Sequence, residues 1–307
     1  MRKKDLAENP SVAIVLVNWN SFAVTAQCLE SLRLVTYHNF KTLVVDNGSN
    51  DGSGDRLFEA YPEITLIKNE HNLGFTGGNN RGIQHGLENS YDFIMLLNND
   101  TIVTPGFLDT LMASIHGIPD IAAIQPKIMF NYDRNIIWNA GGVFNKFLTL
   151  TKTRGEGVTD TGQFDHLKST DWITGCCFLV KSDVVNKIGL LDDKFFIYYE
   201  DTDWSLKIRN LGLKMGFEPK SVIFHEAGMS DANRDKHGEG NVSPFSHYQG
   251  VRNHLYIVRR YAHGVNLIGS WTYQLFKLTG YLIYFTLRGR FTKLKFVAKG
   301  IRDGILK

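Results

Sequence analysis

Short apolar segments alternate with helix-period segments over the first hundred residues. Between the apolar segments, Val24, Cys28 and Leu32 share one helical face, and residues 53–61 and 78–88 also have helical spacing. Four runs are continuously apolar, as expected of strands buried on both faces: 12–17, 42–45, 64–67 and 93–97. This βαβαβαβ order predicts an α/β fold with a Rossmann-like, mostly parallel, doubly wound sheet.

The pattern changes between about residues 120 and 181, where shorter strands are separated by Gly and Asn turns. We interpret this part as an antiparallel portion appended to the parallel sheet. Beyond it, residues 200–211 predict a helix that ends before Gly212. Two further strands are predicted at 214–217 and 221–224.

Polar residues follow the four predicted strands: Asn18, Asp46, Asn69 with Asn72, and Asn98. Such residues also end strands without any further role. In open α/β sheets, however, ligands bind outside the carboxyl ends of the strands. Four polar ends on one edge therefore favour a ligand site.

Two loops at this edge have compositions that suit a nucleotide. Residues 46–53 place Asp46 in a Gly- and Ser-rich loop, where it can accept hydrogen bonds from a nucleobase or a ribose. Residues 72–82 form a Gly-rich loop that enters a helix, which offers backbone N–H groups to phosphate. Neither the dinucleotide fingerprint nor the P-loop is present.

Acidic residues and one histidine supply candidate chemistry. Asp100, just beyond a buried strand, suits Mg²⁺ or Mn²⁺ held jointly with substrate phosphates. Glu200, Asp201 and Asp203 begin a helix; capping uses one or two of them, and another can act as a general base. His225 ends a strand, where it is either structural or a metal ligand with Asp100 as companion.

Several motifs occur in a fixed order along the chain: Val-Asn-Trp-Asn at 17–20, Asp-Asn-Gly-Ser at 46–49, Asn-Leu-Gly-Phe and Gly-Gly-Asn-Asn within 72–82, Leu-Asn-Asn-Asp at 97–100, Gly-Leu-Leu-Asp at 189–192, Glu200-Asp201 with Asp203, and His225. As a set they resemble the family 2 glycosyltransferases of GT-A fold, in particular the bacterial rhamnosyltransferase-like branch. The resemblance implies a glycosyltransferase domain over 1–230. Its nucleotide-sugar-binding half would be 11–118, and its acceptor and catalytic half 119–230.

The resemblance also implies roles for individual residues. Asp46 would read the base, Asp100 and His225 would hold Mg²⁺ or Mn²⁺, and Asp201 would deprotonate the acceptor hydroxyl for an inverting displacement. The implied donor-binding residues are Asn18, Asn20, Asp46, Gly48, Asn72, Gly74, Gly78, Asn80, Arg81 and Asn99. Those implied on the acceptor side are Trp172, Thr174, Gly175, Tyr199, Glu200 and Asp203.

Two positions depart from the family pattern. Asn98 replaces the first aspartate of the Asp-Xaa-Asp motif, and Asn79 stands where many relatives carry an arginine near the phosphates, which leaves Arg81 as the phosphate partner. The expected reaction is transfer of L-rhamnose from dTDP-rhamnose to a hydroxyl of a lipid-linked or cell-surface glycan. The alternative is a nucleotide-sugar-binding protein that is inactive alone and works only with a partner.

Charge is distributed unevenly along the chain. The net charge of +3 combines a tail at 251–307 with +10 and a body with −7. Uncharged runs at 261–276 and 278–287 are shorter than the roughly 20 residues of a spanning helix. We therefore expect amphipathic helices within 231–307 that lie on an anionic membrane surface. The alternatives are a helical pair packed on its own domain, or a surface that pairs two subunits as a homodimer.

The remaining composition narrows the class of protein. Hydrophobic residues make up 43% and charged residues 21%, which excludes a disordered chain. Three cysteines are too few for a disulfide framework, and the N-terminus lacks the pattern of a secretion signal. The expected location is cytoplasmic, on the inner face of the cell membrane. A nucleic-acid partner is disfavoured because the body is acidic and no binding motif occurs.

Overall fold

A computed structural model describes residues 9–117, 120–166, 168–226 and 242–307. Residues 1–8 and 227–230 of the predicted first domain, and 231–241 of the predicted C-terminal region, lie outside these ranges. The strands are β1 Val12–Asn18, β2 Phe40–Asp46, β3 Thr65–Lys68, β4 Phe93–Leu97, β5 Thr101–Val103, β6 Ile121–Phe130, β7 Ile137–Asn139, β8 Gly142–Asn145, β9 Leu150–Thr153, β10 Ser169–Thr170, β11 Cys177–Lys181 and β12 Lys214–His225. The helices are α1 Phe22–Leu32, α2 Ser53–Ala60, α3 Gly74–Glu88, α4 Phe107–Gly117, α5 Ser182–Ile188, α6 Glu200–Asn210, α7 Pro244–Tyr261, α8 Val265–Leu287 and α9 Phe291–Leu306.

Ten of these strands form one mixed sheet. Its order is β10-β12-β6-β11-β4-β1-β2-β3, with β5 paired to β12 and β7 paired to β6. Strands β4, β1, β2 and β3 are parallel, as are β6 and β12. Strand β11 is antiparallel to both β4 and β6 and so joins the two parallel groups. The predicted mostly parallel sheet with an appended antiparallel portion is confirmed.

Helices cover both faces of this sheet, which explains why the strands are continuously apolar. On β1, Ile14 and Leu16 pack in one cluster with residues of α1, α2 and α4. Ala13 and Val15 pack in a second cluster with residues of α3, α5 and α6. Side chains of one strand alternate between its faces, so each face needs its own apolar set. The sheet is therefore doubly wound.

Glycines allow α3 to lie directly on the sheet. A Cβ atom at Gly82 would lie 2.3 Å from Val15 Cγ1, and one at Gly86 would lie 2.4 Å from Ile94 Cδ1. Because these glycines recur every four residues, they form one smooth face of the helix. Helix α3 begins at Gly74, earlier than the helical spacing at 78–88 predicts.

One prediction about strands is wrong. Residues 214–217 and 221–224 belong to a single strand, β12, and not to two. The register against β6 shifts between Glu218 and Val222, so the extra residues are absorbed as an irregularity within the strand. The sequence breaks its apolar pattern there without breaking the strand.

The described residues divide into two compact units. The first unit contains the described residues up to Val143, Thr153–Phe196 and 200–226. The second unit contains Phe144–Lys152, Ile197–Tyr199 and the C-terminal helices α7, α8 and α9. The second unit has its own apolar core from α7, α8 and α9: Val251, Leu255, Leu278, Phe285 and Val297. Within the described ranges, no helix combines the length and the apolar character needed to cross a bilayer.

Polar side chains are also buried in the second unit. His254 Nδ1 lies 3.0 Å from Lys277 Nζ, and His254 Nε2 lies 3.0 Å from the carbonyl oxygen of Thr149. Burial lowers the pKa of His254 to about 3 and that of Lys277 to about 8. Lys277, which splits the apolar runs of the sequence, is thus part of a buried polar cluster.

Candidate active site at the carboxyl edge of the sheet

Asp46, at the end of β2, accepts a hydrogen bond from Asn18 of β1, and Asn18 also contacts Ser53 of α2. Asn18 is paired with it in register and is fully buried. Asn18 Nδ2 donates to Asp46 Oδ1 at 3.1 Å and to Ser53 Oγ at 2.8 Å. Asn18, predicted to line the donor pocket, is therefore a buried residue that orients the Asp46 carboxylate through a hydrogen bond.

The turn after Asp46 is fixed against Asn20. The backbone N–H of Asn20 donates to Ser49 Oγ at 2.9 Å, and Asn20 Oδ1 accepts from the backbone N–H of Asn50 at 2.9 Å. Asn20 itself is exposed and has a positive φ of 50°. Gly48 has a φ of +73°, and a Cβ there would lie 2.5 Å from the His71 backbone. The turn thus requires glycine at position 48.

Asn47 links three segments of this edge, a role that the sequence analysis missed. Its Nδ2 donates to Asn72 Oδ1 and to the carbonyl oxygen of Gly74, both at 3.0 Å. Its Oδ1 accepts from Asn69 Nδ2 at 2.9 Å and from the N–H of Leu73 at 3.1 Å. Asn47 therefore joins the ends of β2 and β3 to the start of α3. Its place directly after Asp46 was the available signal.

The predicted donor residues on α3 lie in different environments. Gly78 faces β1, because a Cβ there would lie 2.8 Å from Val17 Cγ1. Asn80 is buried; its Nδ2 donates to the carbonyl oxygen of Leu191 at 2.9 Å and to Asp193 Oδ1 at 2.8 Å. Asn80 thereby anchors the segment that follows α5. Arg81 is exposed on α3.

At the start of α3, the chain makes a tight approach to another loop. Gly74 has a φ of +74°, and its N–H donates to Asn72 Oδ1 at 2.7 Å. A Cβ at Gly74 would lie 2.6 Å from the carbonyl oxygen of Phe196, which also accepts from the N–H of Thr76 at 3.0 Å. Gly74 and Asn72 therefore shape the helix start.

A chain of hydrogen bonds connects Asp46 to the loop after β4. Thr25 Oγ1, on α1, donates to Asn18 Oδ1 at 2.9 Å, and Asn99 Nδ2 donates to Thr25 Oγ1 at 2.8 Å. Asn18 in turn donates to Asp46. The predicted base-reading residue and the Asn98–Asp100 loop are thus parts of one network.

Asp100 and His225 meet because β5 pairs with the end of β12, where Thr101 lies opposite His225. Asp100 Oδ1 lies 3.1 Å from His225 Nε2, and both side chains are 7% exposed. Among the described residues, Asp100 Oδ1 and His225 Nδ1 have no hydrogen-bond partner. Asn98 Nδ2 lies 3.5 Å from His225 Nε2. Asp100 Oδ1 and His225 Nε2 are therefore close together, but the carboxylate oxygen does not gain a hydrogen bond from this contact.

These two side chains fit a divalent cation. Carboxylate oxygen and neutral imidazole are both ligands of Mn²⁺, and Mg²⁺ takes carboxylate together with phosphate oxygens. In the part of the chain that the structure describes, no three His, Cys, Asp or Glu side chains form a cation site. Any cation held here would therefore take further ligands from a bound diphosphate and water.

Asp201 lies at the start of α6 and accepts two backbone hydrogen bonds. The N–H of Gly175 donates to Asp201 Oδ2 at 2.9 Å, and that of Thr202 donates to Oδ1 at 2.6 Å. Burial raises the pKa of Asp201, although both hydrogen bonds oppose the rise. The carbonyl oxygen of Cys176, next to Gly175, accepts a hydrogen bond from the N–H of Asn98 at 2.9 Å. Residues 175–176 therefore link Asp201 to the Asp100 loop.

Glu200 precedes Asp201 at the start of α6 and is also buried. Burial raises its pKa well above the usual value, and the charge of Asp201 raises it further. Glu200 Oε2 is buried and has no hydrogen-bond partner among the described residues. Asp201 accepts the backbone N–H groups of Gly175 and Thr202, whereas Glu200 Oε2 accepts none among the described residues. The geometry thus favours Asp201 as the proton acceptor.

The other predicted acceptor-side residues have different local surroundings. Asp203 is fully buried, with Oδ2 3.0 Å from Lys207 Nζ one helical turn away. Thr174 is buried; its N–H donates to Gln125 Oε1 at 3.3 Å. Trp172 is buried, and a Cβ at Gly142 would overlap its indole. Tyr199 belongs to the second unit, where its ring stacks on His254 with centroids 5.2 Å apart.

Backbone strain is concentrated just before Glu200. Phe196, Tyr198 and Tyr199 have positive φ values of 62°, 70° and 74°. Bulky residues rarely adopt this conformation, and each instance costs on the order of 1–3 kcal/mol. Such strain is found mostly at functional sites, which agrees with the position of this segment directly before the two acids.

Rhamnosyltransferases are among the relatives that sequence comparisons find. The chain is 25% identical over 235 residues to an N-acetylglucosaminyl-diphospho-decaprenol L-rhamnosyltransferase of Mycobacterium tuberculosis, covering 71% of this chain and 76% of that protein. It is 23% identical over 252 residues to the dTDP-rhamnosyl transferase RfbF of Shigella flexneri, covering 82% and 81%.

Solved structures share the fold. The mannosyltransferase PcManGT from Pyrobaculum calidifontis, in complex with GDP-Man and Mn²⁺, matches with a TM-score of 0.59 at 13% identity, over 99% of this chain and 91% of that one. GalNAc-T7 with UDP, GalNAc and Mn²⁺ matches with a TM-score of 0.58 at 20% identity, over 70% and 43%. These neighbours confirm the GT-A fold.

The family assignment rests on the part of the chain that carries the Asp46 and Asp100 loops. The sequence profile described as glycosyl transferase family 2 matches residues 13–189, which is more than half of the chain and includes β1, the Asp46 turn, α3 and the Asp100 loop. The chain belongs to glycosyl transferase family 2 and is a glycosyltransferase related to the rhamnosyltransferases.

Proposed function

We propose that the protein is an inverting, metal-dependent glycosyltransferase that moves a sugar from a nucleoside diphosphate sugar to an acceptor hydroxyl. The observation that carries this proposal is the connection of three acids on one sheet edge. Asp46 is linked to the Asp100 loop through Asn18, Thr25 and Asn99. Residues 175–176 link that loop to Asp201.

In this mechanism the donor lies across the carboxyl ends of the strands. Asp46 accepts hydrogen bonds from the base or the ribose, and the N-terminus of α3 faces the diphosphate. Asp100 and His225 would hold the cation, with diphosphate oxygens completing its coordination. A divalent cation bound there would neutralise the charge that develops on the leaving diphosphate.

The acceptor reacts in a single displacement. Asp201 takes the proton of the acceptor hydroxyl, and the oxygen of that hydroxyl forms a bond to the anomeric carbon. The bond from that carbon to the diphosphate breaks, and the electron pair leaves with the diphosphate. Because attack and departure occur on opposite faces, the anomeric configuration inverts. A positioned base contributes about 10²- to 10⁴-fold in rate.

We propose L-rhamnose from dTDP-rhamnose as the donor sugar and a lipid-linked glycan as the acceptor. The names of two relatives support the choice: one is a dTDP-rhamnosyl transferase, and the other acts on a diphospho-decaprenol acceptor. The proposed domain organisation is a catalytic domain over 1–230 and a membrane-associating region over 231–307.

Membrane association is supported by one face of α8. Six large apolar residues, which we call the outer stripe, are each more than half exposed: Val265, Ile268, Leu275, Phe276, Ile283 and Leu287. They fall within an arc of about 120° at 100° per residue. Exposed basic residues, among them Arg288, Lys295 and Arg302, follow in the same unit. This combination suits a helix lying on the inner, anionic face of the cell membrane.

Calorimetric titration tests the donor site first. The titrants are dTDP, UDP and GDP with their sugar conjugates, in Mg²⁺ or Mn²⁺ and again in EDTA. We expect dTDP and dTDP-rhamnose to bind more tightly with the metal. No binding of any nucleotide would overturn the proposal. Because Asn98 departs from the family motif, the alternative of a binding protein inactive alone is tested next, by turnover with a lipid-linked acceptor.

A further inference from the structure

A basic, aromatic cleft in the C-terminal unit is not used by the proposed reaction. Its volume is about 410 Å³. The lining residues are Val242, His247, Tyr281, Tyr284, Phe285, Arg290 and Lys293. All of them belong to the second unit.

Aromatic rings form one wall of the cleft. His247 lies edge-on to Phe285 with centroids 5.0 Å apart and edge-on to Tyr281 at 5.8 Å. Phe285 is 2% exposed and belongs to the core of the unit. This wall is therefore rigid and offers mainly apolar surface.

Two basic residues line the cleft: Arg290, which is partly exposed, and Lys293, which is 2% exposed. Arg290 Nη1 donates to Tyr284 Oη at 3.2 Å, which orients the guanidinium, and Lys293 lies on the first turn of α9. Burial and the charges of Lys293 and Arg290 lower the pKa of His247 to about 4, so the imidazole is neutral at neutral pH. Among the described residues that line the cleft, none is acidic. An anion, and a phosphate above all, suits this lining.

The cleft also adjoins the outer stripe of α8. Tyr284, which lines the cleft, follows Ile283 of the stripe and precedes Leu287 by one helical turn. Phe291, next to Arg290, is 64% exposed. A ligand that places an anionic head in the cleft would thus meet exposed apolar side chains at its edge.

We infer that this cleft binds the phosphate group of a membrane lipid, whose chain lies along the outer stripe. Two lipids carry this chemistry: a bilayer phospholipid such as phosphatidylglycerol, and a polyprenyl diphosphate of the kind that carries glycan acceptors. Only the second rests on the proposed function. The binding itself requires neither a donor nor catalysis.

The test compares two arginine substitutions in the full chain. Arg290→Gln removes the charge inside the cleft, and Arg288→Gln removes an equal charge from an exposed position outside it. Binding is measured by flotation with three vesicles: neutral phosphatidylcholine, the same with phosphatidylglycerol, and the same with a polyprenyl diphosphate. Loss of a charge-assisted hydrogen bond predicts about tenfold weaker binding for R290Q. General surface attraction alone predicts about fivefold for either variant.

The outcomes separate the two lipids. A selective loss for R290Q on diphosphate vesicles supports the inference and identifies the acceptor-type lipid. A selective loss on phosphatidylglycerol vesicles supports it with the phospholipid as ligand. Equal losses for R290Q and R288Q on both vesicles would overturn it, because the cleft would then add nothing to the basic surface.

A second, smaller substitution shows whether weaker binding by R290Q comes from the cleft itself or from a change in folding. Tyr284→Phe keeps the ring at the cleft and removes only the hydroxyl that orients Arg290. We expect Y284F to weaken binding to the same vesicles as R290Q by a smaller factor. Wild-type binding by Y284F together with full binding by R290Q would also overturn the inference. Turnover is not measured in these experiments, so failure of the proposed reaction would be detected separately, by the nucleotide titrations.

Discussion

Asp100 Oδ1 lies 3.1 Å from His225 Nε2, although β4 and β12 come from distant parts of the chain. The short strand β5 creates this relationship, because its antiparallel pairing with β12 sets Thr101 opposite His225. Trp138 packs edge-on against the imidazole, with centroids 4.4 Å apart, and fixes its plane. The pair thus exists only when the antiparallel portion of the sheet has formed.

Asp100→Asn tests whether this pair holds a cation. Asparagine keeps the size of the side chain and removes the charge that attracts a divalent ion. We expect the metal-dependent part of nucleotide affinity to fall by about tenfold or more, since interactions of charged groups contribute about 1.5–3 kcal/mol. Binding in EDTA should be unchanged. Calorimetry with Mn²⁺ and with EDTA measures both quantities.

Asp183→Asn is the matched control for this substitution. Asp183 is 67% exposed on α5 and pairs with Lys187, so the same chemical change occurs away from the proposed site. An Asp100→Asn protein whose affinity still increases with Mn²⁺ as in the wild type would contradict the assignment of Asp100.

The parallel half of the fold could be predicted because burial on both faces leaves a direct trace in the sequence. Ile14 and Val15 face opposite cores, so the run is apolar at every position. Strand β6 leaves a less direct trace. Strand β6 contains Lys127, which is buried and pairs with Asp160 and Asp165 at 2.7 and 2.6 Å. A charged residue within a strand predicts an exposed position unless its distant partners are known.

The sequence predicts where the candidate site lies, but not the hydrogen bonds within it. Asn18, Asn80 and Asp203 occur in motifs that resemble those of the family, yet each is buried and bound to its own chain. A motif identifies which side chains are needed without saying which of them support the others. Asn47 follows Asp46 in a recognisable motif, but its link to α3, like that of Thr25 to Asn18, is visible only in the hydrogen bonds of the structure.

Asp201→Asn tests the proposed base. Asparagine has a similar size but keeps only one of the two oxygens that accept backbone N–H groups, and it cannot take the acceptor's proton. We expect turnover to fall by about 10²- to 10⁴-fold, with nucleotide affinity unchanged within about threefold. Steady-state kinetics and calorimetry on the same preparation separate the two effects. Asp183→Asn should retain wild-type turnover, whereas full activity in the Asp201→Asn protein would show that another group is the base.

Glu200→Gln tests the protonation state of the neighbouring acid. Because burial raises the pKa of Glu200 in the folded protein, the neutral amide replaces a carboxyl group whose charged form is disfavoured. We expect turnover to remain within about tenfold of the wild type. A loss as large as that of Asp201→Asn would instead indicate that ionised Glu200 takes part in the reaction.

The same substitution has a defined effect on stability. A carboxyl group with a raised folded pKa binds more protons in the folded than in the unfolded state, so the free energy of unfolding falls as pH rises between the two pKa values. Glu200→Gln lacks this contribution. Relative to the wild type, its stability should therefore increase from pH 4 to pH 7, as measured by urea unfolding. A difference that does not change with pH would contradict the raised pKa.

Glycine at position 82 is required by the contact of α3 with β1. An added Cβ would lie 2.3 Å from Val15 Cγ1, so Gly82→Ala must displace the helix from the sheet. We expect the free energy of unfolding to fall by about 1–3 kcal/mol, the usual cost of overpacking a core. Gly250→Ala, in α7, is the matched control because its Cβ would meet nothing within 4 Å. Alanine is the better helix former, so this variant should gain about 0.5–1 kcal/mol. Equal effects in the two variants would mean that helix propensity, and not the close approach of α3, determines the choice of glycine.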